Sequence, residues 1–262
     1  MFKKKKKPLV IESGPIKYRI GHKECIGPRP TMEDATVILG NTPCEGYSYF
    51  AIFDGHGGTK VSHYAGKHIH ESFQSHFQEN QDSNVMRALD QAVQGTNRHL
   101  VKRWKTQGSV IGVILVSNDK IYSYNIGDVR AIIVYPDGKV QRLSHDHRAC
   151  DPKEEKIIRS YGGFVLNDRL QGVLEISRTL GDGEFKRYIC TEPFVSECQR
   201  VDGAKVVLAC DGVWDVMGDP TAAKIAFEND DPSVAASAIV DQAIKNHTTD
   251  NVSCIVIDLT PI

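Results

Sequence analysis

Short unbroken apolar runs recur along this chain, and between them lie stretches in which apolar positions return every three or four residues. The runs read as buried strands and the periodic stretches as amphipathic helices. Strands are predicted at Ala35–Leu39 and Ser48–Phe53, then in a block at Val110–Val116, Lys120–Ile126, Arg130–Tyr135 and Val140–Leu143, and again at Lys205–Cys210 and Ser253–Leu259. Ser117-Asn118-Asp119 and Pro136-Asp137-Gly138 supply hairpin-type turns within the block. Helices are predicted after Gly57-Gly58, over Asn84–Lys105, and over Pro152–Tyr161, where Gly162-Gly163 provides a C-cap. Two more, Pro220–Glu228 and Pro232–Asn246, each follow an Asp-Pro with proline in the first turn. Strands joined by hairpins, with helices in pairs, predict sheet packed on sheet with helices outside. No repeat or Pro/Gly/Ser linker divides the chain, so residues 8–262 are expected to form one domain behind a disordered basic tail, residues 1–7.

Composition narrows the function classes. A chain of 262 residues, 40% hydrophobic and 25% charged, has the material for a substantial core. Its formal net charge of -1 lacks the basic surplus of a nucleic-acid binder, so no nucleic-acid partner is expected. The longest apolar stretch, Val110–Val116, is too short to span a bilayer. No signal-length apolar segment follows the lysine run Lys3–Lys7, which reads as a solvated tail, with a localisation signal or a lipid-surface contact as alternatives. The seven cysteines form no C-x-x-C, which disfavours a disulfide scaffold or a zinc site and suits a reducing compartment. The expected location is cytoplasmic, extending to the nucleus, and the expected state is a monomer.

Two of the apolar runs end in Asp-Gly: Tyr49–Phe53 leads into Asp54-Gly55, and Val206–Cys210 into Asp211-Gly212. Asp-Gly is ordinarily turn chemistry, and Asp137-Gly138 is read as no more than that. The other two are followed by no second alternating strand, so a hairpin does not account for them. Asp250 precedes the last strand, and Glu33-Asp34 opens Ala35–Leu39. In antiparallel sheets one strand's end lies beside another's start, so these carboxylates can share a rim and hold hard cations such as Mg²⁺ or Mn²⁺. Gly55, without a side chain, lets its carbonyl approach an ion. His56 stands between Asp54 and the helix-opening glycines, where a proton donor and an anion site are both plausible chemistry. His63, His68, His70 and His76 are read as surface residues. Arg29, four residues before Glu33, suits two phosphate oxygens, although in isolation it reads as a surface Arg in an extended loop. Cys210 and Cys254 read as small core residues. The chain has no cysteine-phosphatase motif, Walker A sequence or EF-hand loop, and it lacks the further histidines of calcineurin-like phosphoesterases.

Taken together, eight segments in order resemble the metal-dependent protein phosphatases of type 2C. They are Arg29-Pro-Thr-Met-Glu33-Asp34, Phe53-Asp54-Gly55-His56-Gly57-Gly58, Asn125-Ile-Gly127-Asp128-Val-Arg130, Leu143-Ser-His-Asp146-His147, Gly162-Gly163-Phe164, Ser177-Arg178-Thr-Leu-Gly181-Asp182, Leu208-Ala-Cys-Asp211-Gly212-Val-Trp214-Asp215 and Asp250-Asn251-Val-Ser253. The resemblance implies an α+β fold, a four-layer αββα sandwich of two central antiparallel β-sheets flanked by helix pairs, with two Mg²⁺ or Mn²⁺ ions at one end. It implies that Asp54 bridges the ions, the Gly55 carbonyl serves one, Asp211 and Asp250 hold the other, and Glu33 and Asp34 act through water. Asp128 matches a residue linked in some relatives to a weaker third metal. Arg29 would grip the substrate phosphate and His56 would protonate the leaving oxygen. The implied activity is hydrolysis of phosphoserine and phosphothreonine in signalling proteins by a metal-activated water, without a covalent phosphoenzyme. A catalytically inactive scaffold of the same fold and a small-molecule phosphoesterase are the alternatives. The chain departs from the family pattern at Val110, usually Thr, at Glu175-Ile176, and through Asp182–Glu192.

Overall fold

The computed structural model describes residues 9–13, 17–40, 46–79 and 84–262; the lysine run at positions 3–7 and Cys44 lie outside them. In chain order the elements are β1 (Leu9–Ser13), β2 (Tyr18–Cys25), β3 (Ala35–Leu39), β4 (Ser48–His56), α1 (Lys60–Glu79), α2 (Val85–Arg103), β5 (Gly108–Val116), β6 (Lys120–Ile126), β7 (Arg130–Val134) and β8 (Val140–Arg142). There follow α3 (Pro152–Ser160), β9 (Val165–Leu166), β10 (Arg169–Leu170), β11 (Leu180–Gly181), β12 (Phe194–Gln199), β13 (Lys205–Ala209), α4 (Asp211–Trp214), α5 (Asp219–Glu228), α6 (Pro232–Lys245) and β14 (Val252–Pro261).

Two sheets make the centre. One runs β1-β3-β4-β5-β6-β12, with β11 added at the end of β5, and the other runs β2-β14-β13-β7-β8. Every pairing in the second sheet is antiparallel. The first sheet departs from the expected antiparallel pattern at its edge, where β1 pairs β3 in parallel. The cause is a crossover: between β1 and β3 the chain visits the opposite sheet as β2, and so re-enters in the same direction.

Alternation along each central strand divides the core into three apolar layers. Phe50, Ile52, Ile114, Leu208 and Ile255 fill the space between the sheets. Tyr49, Ala51 and Phe53 point the other way, onto Ile69 and Phe73 of α1 and Leu89 and Val93 of α2. Val207, Ala209 and Val256 do the same beneath Ala222 and Ala226 of α5 and Ala235 and Ile239 of α6. These strands are unbroken apolar runs because both of their faces are covered. The alanine-rich face of α6 comes close: a Cβ on Gly21 of β2 would fall 2.0 Å from the Pro232 carbonyl oxygen. The helix starts follow their sequence signals, with the Asp151 and Asp231 side chains accepting from the Lys153 and Ser233 N–H groups just before Pro152 and Pro232 have turned the chain.

The sequence pattern finds the edge strand β8, which a hairpin turn marks, and misses the edge strands β1, β2 and β12. β2 and β12 each pair on one side only, and their residues are largely half-buried or exposed, so neither carries an apolar run. No helix among the described residues is long and apolar enough to cross a membrane.

Phe50 is fully enclosed between the sheets. Truncation by Phe50→Ala is expected to lower stability by about 3–5 kcal/mol. Urea unfolding monitored at constant m-value checks this, and a loss below about 1 kcal/mol would show that the inter-sheet layer collapses around the void.

Candidate active site

The register of the strands brings distant carboxylates to one end of the sandwich. β13 runs antiparallel to β14 with Ala209 opposite Cys254, so the residues after β13 meet those before β14, and Asp211 comes beside Asp250. β3 and β4 pair Ala35 with Phe53, which sets Asp34 next to Asp54. Asp54 does not end its strand, as the sequence suggested. β4 stays in the ladder for two more residues, with Asp54 opposite Val110, Gly55 opposite Ser109 and His56 opposite Gly108. Asp211 likewise opens a single helical turn, α4, instead of a loop. Around these residues lies a cavity of about 370 Å³, lined by Arg29, Asp54, Gly55, His56, Asp128, Asp211 and Asp250 on one side and by Val110, Arg169 and the segment from Val173 to Ile176 on the other. Asp54, Asp211 and Cys210 present ligand atoms within 4.8 Å of one another.

Burial, reinforced by the crowding of acids, governs the electrostatics. Burial, then the neighbouring Asp211, Asp34, Asp128 and Asp250, push the Asp54 carboxyl well above its ordinary range. Burial pushes Asp34 up to about 7; the Ser253 hydroxyl, which donates to its Oδ2 at 2.6 Å, works against the shift. Asp211 is raised to about 6 by burial and by Asp250 and Asp215, while Asp250 is raised chiefly by burial. Asp34 Oδ1 and Asp211 Oδ1 are buried and accept no hydrogen bond. Unpartnered, desolvated carboxylate oxygens in a cluster of acids fit a hard divalent cation, which needs oxygen donors and offsets their repulsion. Burial, then the neighbouring carboxylates, raise the Cys210 thiol beside them well above its ordinary range; it donates to the Asn251 carbonyl at 3.5 Å and accepts from the Ser253 N–H at 3.1 Å.

The Protein phosphatase 2C family matches residues 18–252 of this sequence. The chain belongs to the protein phosphatase 2C family. It is 31% identical to Protein phosphatase 2C homolog 1 of Saccharomyces cerevisiae, over 93% of this chain and 94% of that one. The protein of the same name in Schizosaccharomyces pombe is 32% identical over 88% of this chain and 70% of that one. Among solved structures, a Caenorhabditis elegans sex-determining protein superposes with a TM-score of 0.85 at 25% identity, covering 95% of this chain and 66% of that one. The serine-threonine phosphatase 2C from Toxoplasma gondii shares the fold, with a TM-score of 0.78 at 21% identity over 95% of this chain and 97% of that one.

Within this member of the 2C family the remaining predicted residues take distinct places. Both Glu33 carboxylate oxygens are engaged within the protein: Oε1 accepts from the Thr31 hydroxyl at 2.9 Å and Oε2 from the Gly58 N–H at 3.0 Å. The anion received at the glycines that open α1 is therefore this side chain. Gly55 is needed for packing as well, since a Cβ there would fall 2.5 Å from the Glu33 carbonyl oxygen. Arg29 donates to Asp250 Oδ2 at 2.5 Å and to the Thr249 carbonyl at 3.0 Å. His70, expected at the surface, is half-buried and lies 6.4 Å, centroid to centroid, from Tyr49.

Sequence reasoning missed three residues. Arg148 places its guanidinium 3.0 Å from Asp128, 2.6 Å from Asp215 and 3.9 Å from Asp211, and so counters part of the acidic charge. Asn251 accepts from the Glu33 N–H at 2.8 Å and donates to the Ile26 and Thr31 carbonyls at 2.9 and 3.0 Å. Asp182 lies against His56. All three sit in or directly after matched motifs, and that position was the available signal.

A carboxyl whose pKa is higher in the folded than in the unfolded chain stabilises the fold at low pH and loses that contribution as pH rises through its folded value. Asp34 and Asp211, raised to about 7 and about 6, place that loss from about pH 4, where an ordinary aspartate titrates, up to about pH 7 for the metal-free protein. In chelator the melting temperature is expected to drop by more than about 5 °C from pH 5 to pH 8. Mn²⁺ at pH 8 should restore it. A flat profile in chelator would show that these carboxyls are not crowded.

Proposed function

We propose that this chain hydrolyses phosphoserine and phosphothreonine esters of proteins with divalent cations held at the acidic cavity. The observation that carries the reading is the convergence of Asp54 from within β4, Asp211 from just after β13 and Asp250 from just before β14 on one cavity in a chain of the 2C family. Asp54, Asp211, Asp250 and the Gly55 carbonyl would hold two Mg²⁺ or Mn²⁺ ions, with Glu33 and Asp34 acting through water. A fold neighbour at 19% identity, the catalytic domain of the serine threonine protein phosphatase PstP, is in complex with 2 manganese ions, which supports that count. Bound divalent ions supply Lewis acidity and make water nucleophilic near neutral pH.

The chain's own residues supply the rest. Arg29, fixed over the cavity by Asp250 and the Thr249 carbonyl, offers its guanidinium to two phosphoryl oxygens and offsets the charge that develops on them. His56 donates a proton to the leaving serine or threonine oxygen. Asp128 already has a cation beside it, the Arg148 guanidinium, so ion binding there requires that side chain to move aside. The presence of Arg29, Asp54, His56, Asp211 and Asp250 argues against an inactive scaffold. The half-apolar wall formed by Val173, Leu174 and Ile176 favours a peptide over a small phosphoester. Residues 8–262 form the catalytic unit and act as a monomer.

Purified protein is expected to turn over a phosphothreonine peptide with Mn²⁺ and not in chelator. Asp211→Asn should lower kcat by roughly 100-fold or more, as loss of a charge-stabilising group does. Equal turnover in chelator would remove the cations from the reaction, and inactivity with every divalent metal would favour the scaffold.

A further inference from the structure

Asp182 has no part in the chemistry assigned above. Its carboxylate is 2% exposed, and its Oδ2 lies 2.6 Å from His56 Nε2, which faces it from the cavity wall. The backbone of Asp182 is left-handed, with φ of 42°, a region that residues other than glycine seldom occupy. Several bonds hold it there. Its N–H donates to the Gln107 carbonyl at 2.9 Å, its carbonyl accepts from the Phe185 N–H at 2.8 Å, and the Gly183 N–H donates to the Trp104 carbonyl at 3.2 Å. The Gly181 N–H donates to Asn97 Oδ1 at 2.9 Å. An unusual backbone conformation held this firmly points to a constraint on where the side chain goes.

The other side of the pair is prepared as well. His56 is in register with Gly108, and a Cβ at Gly108 would fall 1.9 Å from Asp182 Oδ2 and 2.4 Å from His56 Nε2. Glycine at 108 is therefore what lets the carboxylate and the imidazole meet.

We infer that Asp182 is the positioning residue for His56, holding the ring by Nε2 so that Nδ1 is the nitrogen addressed to the leaving oxygen. An ionised carboxylate only accepts, so the nitrogen it binds carries a hydrogen, and the other ring nitrogen is left for proton transfer. The inference rests on the reading of His56 as proton donor. As the bond between phosphorus and the ester oxygen breaks, its electron pair stays on that oxygen, which takes the Nδ1 proton of the doubly protonated ring and leaves the neutral ring with its hydrogen on Nε2. Water supplies the oxygen that phosphorus gains, and its released proton returns to the ring. A carboxylate that fixes tautomer and orientation without taking the proton is a recurrent arrangement in hydrolases.

The test uses the full chain with Mn²⁺ and compares a phosphothreonine peptide, which has a poor leaving group, with an aryl phosphate, which has a good one. Asp182→Asn and Gly108→Ala, which disturb the pair from opposite sides, should each lower kcat on the peptide about 10- to 100-fold and on the aryl ester less than about 3-fold. KM should stay within about twofold, and the double variant His56→Ala/Asp182→Asn should be no slower than His56→Ala. Equal losses on both esters, or losses that add to that of His56→Ala, would leave Asp182 a purely structural carboxylate. If His56→Ala itself slows both esters equally, the proton-donor reading falls, and ring ¹⁵N spectra of the Mg²⁺-loaded protein then decide the positioning role separately. The proton is expected on Nε2 and should redistribute towards Nδ1 in Asp182→Asn. Identical ring shifts in the two proteins, with both folded by melting curve, would overturn it.

Discussion

Mutual repulsion among desolvated carboxylates is the constraint on which this structure turns. Asp34, Asp54, Asp128, Asp211 and Asp250 are brought together at one end of the sandwich, and each is pushed above its ordinary pKa by burial, most of them further by their neighbours. The fold could relieve this by letting the groups move apart into water. It does not, because each is attached within a residue or two of a strand whose register is set by apolar side chains on both faces. Three layers of core fix the backbone, and the backbone fixes the charges. Positive charge from Arg29 and Arg148 reaches the rim of the cluster, and two inner carboxylate oxygens are left unpartnered. That residual imbalance is what a divalent ion removes.

Much of this was legible in the sequence, and the reason is physical. β3, β5, β6 and β13 are buried on both sides, so their apolar runs stand out and their limits were found to within two residues. β4 and β14 are likewise long apolar runs, and with β13 they carry or adjoin Asp54, Asp250 and Asp211, which is why these could be singled out. Edge strands, half in water, leave no such signature. Interactions that join remote segments are also hidden: His56 and Asp182 are 126 positions apart, and nothing in local spacing announces that they touch. Arg148 reads as one more surface cation until Asp128 and Asp215 are seen on either side of it. Glu33 could be placed at the site but not oriented, because its partner, the Gly58 N–H, exists only once α1 has begun.

Glycine marks the close approaches at this end of the molecule. At 55 it admits the Glu33 backbone, at 108 it admits a side-chain pair, and at 21 it seats α6 on the edge of the second sheet. In each case the requirement is room for a neighbour, and at none of the three is the glycine's own backbone left-handed. These positions translate a packing demand into functional geometry.

The connection from β2 to β3 leaves one sheet and enters the other, and Arg29, Glu33 and Asp34 all ride on it. Asn251, from the segment before β14, fastens that connection at Ile26, Thr31 and Glu33. The two sheets are thus buckled together across the cavity mouth. The stretch bearing Arg29, Glu33 and Asp34 is therefore tied to the segment of Asp250 by a single amide side chain, which makes Asn251 the clasp of this end of the sandwich.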